Sequence, residues 1–266
     1  MTVRNGGAAV LTYVYCLLHR SRAPSTGRAP RGLAGTAAPR AVAAGPDLWL
    51  IAANAPAVAY DAAAIERGLK DLDWVARRAL GHARVVEHFS ATGTVLPMRL
   101  FTLFRSDARA VAHVARSRAR LERDLARVAG RREWGVRLSL DVRAARARAR
   151  ETVRRRVGPG PDGTRFLVMK RDEMAVARHL AAGGRERARD LHARLRRHAD
   201  DVRTRPPLEA AGDARLLLDA AFLVRGAREV AFRKAVRRES ERLAGEGFGV
   251  TLTGPWPPYS FVGARR

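Results

Sequence analysis

The sequence predicts an α+β protein of two domains. Residues 1–129 form an N-terminal α+β domain, and residues 130–266 a modified ferredoxin-like domain with extra helices and a proline-rich C-terminal tail. Three observations carry this. Trp134, Val136, Leu138 and Leu140 alternate with Gly135, Arg137 and Ser139, the period of a half-buried strand, just after a helix closed by Gly130. From residue 131 the periodicities run β-α-(α)-β-α-β, which suits a ferredoxin-like sheet with added helices. The chain ends Leu252-Thr253-Gly254-Pro255-Trp256-Pro257-Pro258-Tyr259-Ser260-Phe261-Val262. Proline fixes φ and lacks an N–H, so this stretch cannot continue a helix or, from Pro255 onward, form a central strand. It reads as a stiff tail presenting Trp256, Tyr259 and Phe261.

Taken in order, Tyr13 to Leu18 is a β-prone apolar strand, and Ala8 to Leu18 lacks the flanks and cleavage site of a secretory leader. Residues 20–46 are rich in Pro, Gly, Ala and Arg without apolar periodicity, and are expected to be a mobile loop. Asp47 to Ala53 is a second strand, with a third expected at Ala57 to Asp61. From Asp61, Ile65, Leu69 and Leu72 recur at helical spacing. Val75, Leu80, Val85, Val86 and Phe89 then mark a helix ending near Gly93. Val95 to Phe104 returns to a strand. Ser106-Asp107 starts one long helix through Val111, Val114, Leu121, Leu125 and Val128.

In the second half, Arg143 to Arg156 reads as a basic helix broken by Gly158–Gly163, and Phe166 to Met169 as a strand or a first helical turn. Glu173 to about Arg203 reads as a helix stopped by Pro206-Pro207. Leu216 to Val224 is a buried strand interrupted only by Asp219. Gly226 to Leu243 is a helix, and Phe248 to Thr253 the last strand.

The single cysteine, Cys16, excludes an internal disulfide, fits a reducing cytoplasm and reads as a buried small apolar residue. No apolar run reaches the length of a membrane-spanning helix. The net charge of +25 points to a polyanionic partner, yet nearly all of it is arginine, the pattern of a G+C-rich genome. A basic nucleic-acid-binding protein is therefore the alternative reading, through the helices at 143–156 and 185–197. It lacks a recognised binding motif and interleaved aromatics.

No catalytic signature is present. The 158–163 glycines lack the Lys-Ser/Thr of a phosphate loop, and none of the seven histidines forms a zinc-binding pair. The reading is a non-enzyme without cofactor or metal. Glu87-His88 are adjacent on a helix and face different ways. Asp219, inside an apolar strand, requires a partner if it is ionised. Arg99 has two readings, a structural ion pair or partner recognition. The tail aromatics have two as well: packing across the domain interface as a clasp, or forming part of a binding surface.

The tail Thr253-Gly254-Pro255-Trp256-Pro257-Pro258-Tyr259-Ser260-Phe261 after an apolar strand resembles the ending of the GvpF/GvpL family of gas vesicle proteins. Tyr13-Val14-Tyr15, Val95-Leu96-Pro97-Met98-Arg99 followed by Thr102-Leu103-Phe104, and Leu218-Asp219-Ala220-Ala221-Phe222-Leu223-Val224 agree in order. The resemblance covers about residues 10 to 262. It departs from the family pattern at Phe101, where glycine is usual, and at Asp219, where asparagine is. It implies a cytoplasmic accessory protein of gas vesicle assembly that binds the hydrophobic shell protein and other accessory proteins. The surfaces it points to are Pro97, Arg99 and Phe104 in one motif and Trp256, Pro257, Pro258, Tyr259 and Phe261 in the other.

Overall fold

The computed structural model describes residues 9–143, 147, 171, 183–206 and 214–263. The chain divides into two units, Met1–Gly130 together with Trp256–Arg266, and Arg131–Pro255. The sequence reading kept the tail with residues 130–266; in space it groups with the first unit.

The first unit is built on a mixed-order antiparallel sheet, β2-β3-β1-β4, in which β5 also pairs with β1. Its strands are β1 (Val10–His19), β2 (Arg40–Gly45), β3 (Leu48–Pro56), β4 (Thr94–Pro97) and β5 (Leu103–Phe104). Every β1 residue from Thr12 to Leu18 is buried, because the sheet is covered on both faces. α3 (Leu72–Ser90) packs on β1 and β4. α4 (Asp107–Arg116) packs on β1 and β2, and α5 (Arg118–Val128) on β4.

A β-bulge adjusts the alternation along β1. Val14 pairs with Ala52 and Cys16 with Ile51, so Tyr15 is an extra residue. Tyr13 before the bulge, Tyr15 at it, and Cys16 and Leu18 after it therefore join one core, with Ile51, Ala53, Val85, Val86 and Phe89. Burial pushes the Cys16 thiol pKa far up, so this residue packs as a small apolar side chain.

Several expectations are corrected in this unit. Residues 20–46 contain strand β2, and the segment before it is tied down. Leu33 is buried, its N–H donates to Tyr15 Oη at 3.1 Å, and the Tyr60 hydroxyl donates to the Ala34 carbonyl. These partners are 18 and 26 residues away, which local composition cannot reveal. Ala57–Tyr60 is a helical turn (α1), not a strand. α2 (Ala62–Gly68) follows, capped by Asp61, whose carboxylate accepts from Ala64 N. The single strand expected from Val95 to Phe104 is split into β4 and β5 by a turn in which Phe101 has φ 65°. The long helix after Ser106 starts at its predicted cap, Ser106 Oγ accepting from Arg109 N, but breaks at Ser117 into α4 and α5.

The second unit holds the sheet β7-β8-β6-β9: β6 (Arg131–Asp141), β7 (Asp201–Arg205), β8 (Ala214–Arg225) and β9 (Phe248–Trp256). β6 and β8 pair antiparallel over their whole length, from Arg131↔Arg225 to Asp141↔Ala214. The inward alternation predicted for β6 is observed. Trp134, Val136, Leu138 and Leu140 pack with Phe222 and Val224 of β8, with Leu191 and Leu195 of the helix at 183–196, and with Phe232 and Leu243 of the helix Glu229–Gly245. The helix expected to reach Arg203 ends earlier, and Asp201–Arg205 is strand β7 instead, paired with β8. Proline at 255 is tolerated because β9 is an edge strand. The expectations for most of the helix at 143–156, for Gly158–Gly163, for Phe166–Met169 and for the start of the helix near Glu173 lie outside the described residues.

Candidate functional site

The Pro97–Phe104 motif forms the end of β4, a turn and β5. Pro97 is buried and pairs with Cys16, which fixes the turn to the central strand. The turn is closed by Thr102, whose N–H and hydroxyl both donate to the Arg99 carbonyl, at 3.1 and 2.7 Å. Arg99 itself is exposed and makes no ion pair among the described residues. Phe104 is half-buried, its ring 5.4 Å from His113.

Phe101 occupies the left-handed region at φ 65°, which costs a side chain about 1–2 kcal/mol. Its ring rests 5.3 Å from Trp74, which offsets part of that cost. The Arg78 guanidinium lies 3.7 Å over the other ring of this cluster, that of Trp74, and 5.6 Å from Tyr60.

Beneath the turn is a buried polar group that sequence reading did not single out. His82, on α3, faces inward, and its Nδ1 is 2.6 Å from the Tyr13 hydroxyl. Its ring also meets Tyr15 at 5.7 Å and Tyr259 of the tail at 6.3 Å. Burial drives the His82 pKa down to about 4, against a weaker opposing contribution from the Met98 backbone. The neutral imidazole therefore shares a hydrogen bond at Nδ1 with the Tyr13 hydroxyl, whose own pKa burial raises far above the usual value. His82 shares the apolar stripe of Val75, Val85, Val86 and Phe89, and that spacing was the available signal.

The tail divides by burial. Pro257, Pro258 and Phe261 are buried, with Phe261 at 0% exposure, whereas Trp256 (43%) and Tyr259 (37%) are exposed. The Phe261 carbonyl accepts a hydrogen bond from Arg127 Nη2, and Tyr259–Phe261 form a short 3-10 turn. The tail is thus held to the first unit at α5 and beside α3.

The polar tie within this unit is Arg40. It donates to both Asp107 carboxylate oxygens at 2.7 and 2.8 Å, and to Asn54 Oδ1 at 2.7 Å. Thr12 Oγ1 also donates to Asp107, at 2.7 Å. Burial alone would raise the Asp107 pKa, but these hydrogen bonds outweigh it and hold the carboxylate below its ordinary range. In the second unit Asp219 is buried, as its setting required of a paired carboxylate. Arg137 Nε lies 3.4 Å from one of its oxygens and Arg205 3.9 Å from the other. Among the described residues no group of three or more His, Cys, Asp or Glu side chains is arranged to hold a metal ion.

The family model "Gas vesicle synthesis protein GvpL/GvpF" matches residues 11–263. The chain belongs to this GvpL/GvpF family. Gas vesicle protein L of a Streptomyces species is 34% identical over 95% of this chain and 93% of its own length. Gas vesicle protein L2 of Halobacterium salinarum is 28% identical over 72% and 73%. The crystal structure of the gas vesicle protein GvpF from an Anabaena species has the same fold, with a TM-score of 0.69 at 17% identity over 96% of this chain and 99% of that one. The GvpF structure from Microcystis aeruginosa gives 0.66 at 16% identity over 94% and 98%. The α+β class with two antiparallel sheets is therefore that of GvpF, and family membership assigns the chain to gas vesicle formation.

Within this GvpL/GvpF chain, the two surfaces that the resemblance points to, Pro97 to Phe104 and Trp256 to Phe261, both fall in the first unit. The structure splits each into anchors and presented groups. Pro97, Pro257, Pro258 and Phe261 are anchors; Arg99, Trp256 and Tyr259 reach solvent.

Proposed function

We propose that this protein is an assembly accessory factor of the gas vesicle, not an enzyme, which binds the hydrophobic shell protein and other accessory proteins in the cytoplasm as the vesicle forms. One observation carries the reading: the family match spans residues 11 to 263, across both units. A small, very apolar shell subunit needs its exposed strand edges and apolar faces covered until it is incorporated. Arg99, Trp256 and Tyr259 offer exposed contact chemistry for such a partner, and the basic surface steers acidic partner segments toward it.

The second unit is read as a modified ferredoxin-like domain, supported by the strand order β7-β8-β6-β9 with helices packed on one face. The tail, whose residues return to the first unit after β9, is read as a clasp.

The test is co-expression with the gas vesicle shell protein and accessory proteins, followed by capture in about 0.3 M salt, where loose charge attraction is screened. Retention of the shell protein or accessory proteins is the expected result. Recovery of nucleic acid alone, released steeply as salt rises, would overturn the reading in favour of a basic nucleic-acid-binding protein, which the net charge of +25 also fits.

A further inference from the structure

We propose that the open edge of β9, with the groove beside it, binds an extended strand of a partner that is apolar toward the groove and acidic at its flanks. The inference rests on the reading above, that this protein works by binding gas vesicle partners, and it names the chemistry of the bound segment.

β9 is the last strand of its sheet, and among the described residues nothing pairs with its outer edge. Proteins guard such edges with charges, prolines or very short strands. The opposite edge of this sheet is guarded: β7 reads Asp201-Val202-Arg203-Thr204-Arg205, with three charges in five residues. β9 is not. From Gly247 to Ala264 no residue is charged, in a chain of which 29% is. Its only guard is Pro255, next to the last residue of the strand, so Phe248 to Gly254 present a neutral, unblocked backbone edge.

The groove supplies what a bare edge lacks. It lies between β9 and the helix Glu229–Gly245, with a volume of about 630 Å³. Val250 and Leu252 of β9 and Val230 and Val236 of the helix line it. Val230 is 65% exposed, a large apolar side chain in need of cover. The rim is cationic, made by Arg233, Lys234 and Arg237. The one carboxylate lining the groove, Glu241, is paired with Arg237 at 2.9 Å, which leaves Arg233, whose guanidinium lies 6.0 Å from the Trp134 ring, and Lys234 without a carboxylate partner among the described residues.

These features together select one kind of occupant. A strand added to β9 satisfies its edge by backbone hydrogen bonds, and alternate side chains of that strand point into the groove. The lining rewards apolar groups at those positions. The rim rewards carboxylates flanking them and repels lysines.

The probe is a fluorescein-labelled peptide of about ten residues, alternating Val and Thr with Glu at both ends, long enough to span a strand the length of β9. Two controls accompany it: the same peptide with Lys ends, and one N-methylated at alternate residues to remove the N–H donors of one edge. Anisotropy titrations against the full-length protein are expected to show binding of the Glu-flanked peptide. Both controls should bind at least about tenfold more weakly. Val230→Lys and the double variant Arg233→Glu/Lys234→Glu change exposed residues and should fold normally, with unaltered circular dichroism and unfolding midpoint. Each should weaken the Glu-flanked peptide about tenfold. Equal binding of the N-methylated peptide, or wild-type affinity in both variants, overturns the inference.

Shell-protein capture separates this from the broader reading. Retention by the wild type and loss by Val230→Lys is the expected pattern. Retention by both defeats the strand site and leaves the assembly reading standing. Retention by neither defeats the assembly reading, and the peptide titrations alone then decide whether the edge binds strands.

Discussion

Burial decides the chemistry of His82, and the consequence is measurable. Its folded pKa of about 4 lies below the unfolded value of 6.5. Between those values the unfolded chain binds more protons than the native one, so stability falls as the pH drops from 6.5 toward 4 and is flat above. The difference amounts to about 3 kcal/mol, each pKa unit being worth roughly 1.4. Urea unfolding at pH 7, 5.5 and 4.5 should show this slope in the wild type, and His82→Gln should abolish most of it. Asp107, held below the ordinary carboxylate value of 3.8, loses its contribution as the unfolded carboxyl protonates below about pH 5, so the slope between pH 7 and 5 is the part that reads His82. A second residue on the same helix runs against its propensity. Alanine normally stabilises a helix interior relative to glycine by about 1 kcal/mol. A Cβ on Gly81, however, would stand 2.6 Å from the Gly32 carbonyl oxygen, a backbone atom that cannot swing away. Gly81→Ala is therefore expected to destabilise by about 1–3 kcal/mol, an overpacking cost that exceeds the propensity gain. Denaturant midpoints check the sign. Neither effect was legible in sequence as a magnitude. The apolar stripe through Val75, Val85, Val86 and Phe89 carries a signal for His82 that the sequence reading did not use, whereas Gly32 is far from Gly81 along the chain, and only the fold brings them together.

At the scale of elements, legibility followed the range of the interactions that define each one. β6 was readable because its pattern is local and period two, and the cap of α4 because Ser106 and Arg109 are three residues apart. β7 was not, since Asp201-Val202-Arg203-Thr204-Arg205 follows a helical run and becomes a strand only by pairing with β8. The segment before β2 was misread for the same reason. It is held by Tyr15, the bulge residue of β1, whose hydroxyl accepts from Leu33 N and sits where a Gly32 Cβ would fall, 1.7 Å away. This makes Tyr15→Phe an informative change. The apolar ring stays in the core, while the buried Leu33 N–H loses its acceptor, at a cost of about 1–3 kcal/mol. Hydrogen exchange should accelerate at Leu33 and its neighbours and stay slow along the β1–β3 pairing. Uniform acceleration through the sheet would instead show that the segment is not independently anchored by this bond.

At the scale of the whole molecule, the question at the tail is whether one short proline-rich stretch serves folding, recognition or both. Sequence composition located Trp256, Tyr259 and Phe261 together and left open whether they pack or bind. The structure separates them, because identical chemistry meets different surroundings. Phe261 is fully enclosed and its carbonyl is held by Arg127, while Trp256 and Tyr259 keep substantial exposed area. Changing all three at once would confound unfolding with loss of contact, and changing them apart does not. Phe261→Ala empties a closed site and is expected to cost about 3–5 kcal/mol, the range for deleting a buried phenylalanine. It should lower the unfolding midpoint and reduce partner capture only as far as the folded fraction falls. The double change Trp256→Ala/Tyr259→Ala removes exposed rings and should cost roughly 1 kcal/mol, most of it the Tyr259 contact with His82. If these rings contact the shell protein, that double variant loses capture while its unfolding midpoint stays near wild type, since exposed aromatics are the residue type that dominates interface energetics. Full capture by the double variant, beside normal stability, would confine the tail to a structural role and shift the search for the contact to Arg99 and the β9 edge.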